Sequence, residues 1–142
     1  MERYAIMHAV QLLSWNAGAQ IAFASLLGWA MLVPRQPWGQ RWKRLHSRDV
    51  TAAHLDWMML AFMQFGASYA MANRPLAHGE WIAGALIAGG WLNPLPYALR
   101  AFGINAFAFA GDWKQRTSAA ISGISSLLIT GAWIAFVVEA WP

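Results

Sequence analysis

Residues 81–100 read WIAGALIAGGWLNPLPYALR, and no residue before Arg100 in this stretch carries a formal charge. Such a run approaches the ~20 apolar residues a helix needs to cross a ~30 Å hydrocarbon layer. Its second half nevertheless holds Asn93, Pro94, Pro96 and Tyr97. Prolines inside a helix remove backbone donors and clash with the preceding turn, so carbonyls near residues 90–92 should lose their helical partners. Hydrocarbon cannot replace those partners, and freed carbonyls are tolerated only against other protein or a cavity. This end of the helix is therefore expected to face a bundle interior or a pocket.

Three more stretches, residues 4–34, 50–73 and 117–138, carry almost no charge. The chain is 58% apolar and 11% charged, against roughly 25% charged residues in soluble domains. The expected fold is all-α: a four-transmembrane-helix bundle forming a single integral membrane domain over residues 1–142. A signal peptide is the competing reading of the first stretch, but its apolar run far exceeds the 7–15 residues of such segments, and Glu2 spoils a basic start.

The absence of cysteine excludes disulfides, iron–sulfur clusters, thiolate metal sites and cysteine nucleophiles. A net charge of +4 raises the question of nucleic acid. However, the cations lie in connections: Arg35, Arg41, Lys43, Arg44 and Arg48 in the first, Arg100, Lys114 and Arg116 around the third. That places them on one side of a four-span bundle and speaks for a membrane surface, with no nucleic acid as partner. By the positive-inside rule those connections are cytoplasmic.

Residues 34–49, PRQPWGQRWKRLHSRD, read as a loop in contact with lipid headgroups, with Trp38 and Trp42 at the interface. Asp49 and Thr51 are candidate caps for the second helix. Residues 73–80 form a turn, residues 101–116 an aromatic, glycine-containing loop, and the last helix starts near Thr117. Small residues four apart, Gly84 with Ala88 and Ala119 with Gly123, would permit close helix contact.

Among the six acids only Asp56 lies within a span, so one subunit cannot assemble a carboxylate-bridged di-iron centre. No helix has two histidines placed to carry stacked, doubly ligated haems, but a single axial histidine suffices for one haem. Asp56, Leu60, Gln64 and Ser68 share a face of the second helix, which also carries His54. An ionisable group in a span is a functional candidate because its burial is costly unless it is partnered or wet; solvation at the interface is the alternative for His54 and Asp56. Asn93 and Tyr97, four residues apart, point the same way, as a substrate-facing pair or as contacts between helices. His8, Gln11, Asn16 and Gln20 are expected to form one polar face of the first helix.

The segment GWLNPLPY, residues 90–97, fits the G-W-x-N-x-x-x-Y pattern of the styrene oxide isomerases, small four-span membrane enzymes, and GINAFAFAGD, residues 103–112, resembles their loop before the last helix. AAHLD, residues 52–56, resembles the Ala-His-Leu-Glu stretch of the hydroxylaminobenzene mutases. The resemblance spans most of the chain on few identities. It implies haem b with ferric iron, held by one histidine near the start of the second helix. The implied reaction turns a small apolar aryl epoxide into an aldehyde by Lewis-acid ring opening and a 1,2-hydride shift, the Meinwald rearrangement.

Carried over by position, His54 would be the axial ligand, with Asn93 and Tyr97 on the substrate side. Asp56 and Gln64 would stand in for an asparagine that the pattern places at the position of Leu60. His46, in WKRLHS, resembles the ligand's context as well and is a rival. Gly89 replaces an acid of the pattern, which leaves the substrate open. A homotrimer in the bacterial inner membrane completes what the resemblance implies. A mutase acting on hydroxylaminoarenes and a non-catalytic membrane subunit or transporter are the competing functions.

Overall fold

The computed structural model describes residues 2–141, among which all regular elements are helices and none is a strand. The α-helices are α1 (Glu2–Ala30), α2 (Arg48–Asn73), α3 (Gly79–Leu92), α4 (Leu95–Ala101) and α5 (Trp113–Ala140); two 3-10 segments, Val33–Arg35 and Pro37–His46, join α1 to α2. The stretch Met7–Arg35 and helix α5 are each long and apolar enough to cross a membrane. With 14 residues α3 is too short to do so by itself at 1.5 Å per residue. It continues into α4 through Asn93 and Pro94, both with right-handed helical backbone angles. Together they make one bent helix.

Helix starts follow side-chain chemistry. Ser47, not Asp49 or Thr51, caps α2: its hydroxyl accepts from the Val50 N–H at 3.2 Å, while the Thr51 hydroxyl donates to the Ser47 carbonyl. Asp112 likewise accepts from the Gln115 N–H and starts α5 four residues earlier than the expected Thr117. At the end of α4, Gly103 adopts φ +85°. Its N–H bonds the Arg100 carbonyl and the Ile104 N–H bonds that of Leu99, the glycine-dependent termination that spares two orphan carbonyls.

α1 packs along α2, α5 packs along α3, and the bent α3–α4 helix touches both sets. One buried cluster is built on Leu13, Ala67, Met71, Ile82 and Leu86. A second, on Ala24, Ala53 and Trp57, is covered by Leu27, Trp91, Leu95 and Tyr97. Gly89 is the close approach of α3 to α5: a Cβ there would run into Ile129 and stand 3.2 Å from the Ser125 carbonyl. Gly84 and Ala88, by contrast, are exposed, and a Cβ added at Gly84 would meet no atom within 4 Å among the described residues.

The outside of the molecule is oily. Trp15, Trp29, Leu26, Tyr69, Leu127 and Val138 are largely exposed, a surface that suits lipid or a partner subunit and not water. Arg100 pairs with Asp49 at 2.9 Å, which brings the end of α4 to the start of α2 and gathers the cationic connections at one end. At the other end His78 donates its backbone N–H and ring to the Glu139 carboxylate, and His8 lies 3.4 Å from Glu80.

Candidate active site

The site begins with the bend in α3–α4. Pro94 has no N–H to give to the Gly90 carbonyl, and that carbonyl instead accepts from Gln20 Nε2 on α1 at 2.8 Å. The neighbouring Trp91 carbonyl accepts from the Trp57 indole N–H at 3.3 Å. Both prolines are buried. The Gly90 carbonyl freed by Pro94 thus faces the bundle, and donors from two other helices satisfy it and the Trp91 carbonyl beside it.

Gln20 is fully buried and belongs to a longer chain of bonds. Its Oε1 accepts from Gln64 Nε2 at 2.9 Å; Gln64 also donates to the Leu86 carbonyl and accepts from Asn16 Nδ2 at 2.6 Å; Asn16 in turn accepts from the Trp91 indole at 2.9 Å. One turn further along α2, Ser68 bonds the Val10 carbonyl and Ser14. Gly90 leaves room for this network, since a Cβ there would collide with Gln64 Nε2. The expected inward face of α2 is therefore present, and both polar atoms of the Gln64 amide are partnered within it.

α1 divides its polar residues between two faces. Asn16 and Gln20 turn inward, whereas His8 and Gln11 are exposed. At ~100° per residue, Gln11 lies about 140° from Asn16 and about 180° from Gln20, and His8 about 80° and about 120°, which corrects the expectation of a single polar face.

Asp56 is half-buried and accepts from Asn93 Nδ2 at 2.8 Å. Ser125 on α5 stands 3.5 Å from Asn93 Oδ1, its hydroxyl also donating to the Ser122 carbonyl. Tyr97, one turn beyond Asn93, lays its ring edge-on to Phe107 at 5.1 Å and packs on the Ala53–Trp57 cluster. Its hydroxyl has no hydrogen-bond partner among the described residues. Phe23 joins this aromatic wall, edge-on to Trp57 at 4.8 Å and to Trp91 at 5.4 Å.

His54 is half-buried, and its Nδ1 lies 2.8 Å from the Ala24 carbonyl of α1. A carbonyl only accepts, so Nδ1 carries the proton and Nε2 keeps its lone pair. Gly28, one turn on from Ala24, makes space for the ring: a Cβ there would lie 3.1 Å from His54 Cε1. His46 is exposed, at the end of the second 3-10 segment. A backbone carbonyl on one ring nitrogen is the arrangement that orients a metal-ligating histidine, and of the two rivals His54 has it.

His54 and Asp56 are about 200° apart around α2. They project to either side of the Ala53–Trp57 ridge, His54 against α1 and Asp56 against the start of α4. The structure joins Asp56 to Asn93 and places Tyr97 beside them, but no hydrogen bond links His54 to any of the three among the described residues. Nor do three or more His, Asp or Glu side chains converge there on a common point; a haem with one protein ligand asks for only one donor.

From sequence, Asn16 is expected only as part of the polar face of the first helix and Trp91 only as part of the Gly-Trp pattern, and Ser125 is not singled out. Asn16 lies four residues before Gln20 and shares its inward face, a periodicity visible in the sequence, whereas Trp91 stands ~100° around its helix from Gly90. Ser125 had no such signal, because its placement depends on how α5 docks. Gly89 faces Ile129 and not the Asp56–Asn93 pair, so an acid at this position would require α5 to move.

Compared with protein-family models, curated proteins and solved structures, the chain has no significant match.

Proposed function

We propose that this protein is a haem b isomerase of the membrane that converts a small apolar aryl epoxide into the aldehyde. The observation that carries the reading is the His54 ring, whose Nδ1–H is held by the Ala24 carbonyl so that Nε2 is free to bind iron. It is supported by the match of Gly90, Trp91, Asn93 and Tyr97 to the pattern of the styrene oxide isomerases.

In this reading α1, α2, the bent α3–α4 helix and α5 are four spans. The polar residues that lower the hydropathy of α2 mostly turn inward, and the cationic connections mark the cytoplasmic face of a bacterial inner membrane. His54 and the Asp56–Asn93 pair flank opposite sides of one ridge, so a complete site joins His54 of one subunit to the Asn93 and Tyr97 of another. The exposed apolar faces of α1 and α5 are available for such a homotrimer.

Bound ferric haem would supply a Lewis acid for the epoxide oxygen. The remaining work falls to the chain. Tyr97 brings a free phenolic O–H as donor to the oxygen, Asp56 fixes the Asn93 amide, and Gln64 holds α1, α2 and α3 together behind them. Phe23, Trp57 and Trp91 provide an aromatic wall that receives an aryl group and keeps water out. In the overall reaction the benzylic C–O bond breaks, a hydride moves from the adjacent carbon to the benzylic carbon, and the carbonyl forms; no external reductant is consumed.

Protein purified in detergent should show a Soret band that His54→Ala abolishes or shifts and His46→Ala does not, and should turn styrene oxide into phenylacetaldehyde. A colourless, iron-free protein would overturn the proposal. Feeding a hydroxylaminoarene to the same preparation tests the mutase alternative. A second reading is favoured by the internal pairing of Asn16, Gln20, Gln64 and Asp56: a non-catalytic subunit whose polar residues only hold helices together. It requires that Tyr97→Phe alter assembly and no turnover.

A further inference from the structure

The second 3-10 segment, Pro37–His46, has no part in the site above. From residue 34 to residue 48 the chain contains no acid, so nothing within the segment neutralises Arg41, Lys43 and Arg44. All three are exposed, and none takes part in an ion pair among the described residues. Arg100, at the same end of the molecule, differs in being paired with Asp49.

The three cations surround a hollow of about 560 Å3 that Leu45 and Phe102 line from the apolar side. Phe102 follows α4 directly, so two parts of the chain far apart in sequence build this feature. The Arg41 guanidinium lies over the Trp42 ring, 5.7 Å from its centroid, which holds it near the hollow. Trp38 and Trp42 are 71% and 50% exposed, the placement of tryptophans at headgroup depth.

We propose that this hollow binds the phosphate of an anionic phospholipid headgroup. Arg41, Lys43 and Arg44 receive the phosphate, and Leu45 and Phe102 receive the glycerol end of the acyl chains. Charge complementarity selects an anion, and the apolar lining selects one that brings hydrocarbon with it, which a free phosphate does not. The inference rests on the membrane placement proposed above and is independent of haem and of turnover.

The test is native mass spectrometry of the detergent-purified full chain after titration with phosphatidylglycerol, phosphatidylcholine or inorganic phosphate. Phosphatidylglycerol should be retained at least about tenfold better than phosphatidylcholine, and Arg41→Gln/Lys43→Gln/Arg44→Gln should lose that preference, as expected when three basic groups leave an anionic lipid. The conservative Arg41→Lys/Arg44→Lys should keep it, as should Arg35→Gln/Lys114→Gln/Arg116→Gln, which removes equal charge elsewhere at the same end. Equal retention of the two lipids, equal loss in both triple variants, or displacement of the lipid by inorganic phosphate would each overturn the proposal. Solubility of the chain without detergent would instead refute the membrane placement, and the Soret band of the same sample reports separately on the isomerase reading.

Discussion

Replacing Gln20 by Leu removes the donor that satisfies the Gly90 carbonyl and the acceptor that satisfies Gln64 Nε2, at 2.8 and 2.9 Å in a fully buried position. A buried group left without its partner costs ~1–3 kcal/mol, and hydrogen bonds between membrane helices contribute ~0.6 kcal/mol on average and ~1.7 at most. Gln64 keeps its contact to the Leu86 carbonyl, which softens the loss on that side. The expected destabilisation is roughly 2 kcal/mol, or roughly 6 °C in melting temperature for a chain of this size.

The decisive measurement is a double-mutant cycle with Pro94→Ala, followed by far-UV circular dichroism during thermal unfolding in detergent. Alanine at 94 restores an N–H that can bond the Gly90 carbonyl within the helix, so Gln20→Leu should cost about 1 kcal/mol less in that background. Gln11→Leu, at an exposed position of the same helix, should change stability by less than ~0.5 kcal/mol. If Gln20→Leu costs the same with and without Pro94, the bend is not what Gln20 serves and the argument fails.

Gly90→Ala should destabilise by about 1–3 kcal/mol through collision with Gln64, read in the same melts; Gly89→Glu should do worse, because Ile129 and the α5 backbone fill that side. Gly28→Ala, which crowds His54 Cε1, should lower haem retention with helix content unchanged, and unaltered haem loading would remove His54 as ligand. Asn93→Ala should slow epoxide turnover by about 10²-fold, the scale of losing one oriented polar group, while the Soret band persists. Full turnover in that variant would return Asn93 to the role of a contact between helices.

Much of the fold can be read along the chain because the solvent dictates it. Uncharged runs at 4–34 and 117–138 correspond to the stretch Met7–Arg35 and to α5, since length and apolarity are local properties that decide whether a helix can cross hydrocarbon. Pro94 and Pro96 likewise announce unpaired carbonyls near residue 90 from covalent structure alone. The inward set Leu60, Gln64 and Ser68 follows from helix periodicity, and the structure buries all three.

Tertiary structure decided what meets what. That Gln20 answers Gly90, that Ser125 nears Asn93 and that Gly89 is spent on Ile129 depend on which helices dock and in what register, and no local preference encodes that choice. The same holds for the two halves of the candidate site. Helix pitch alone puts His54 and Asp56 on opposite sides of α2, but only the docking of α1 and of the bent α3–α4 helix sets the Ala24 carbonyl against one and Asn93 against the other.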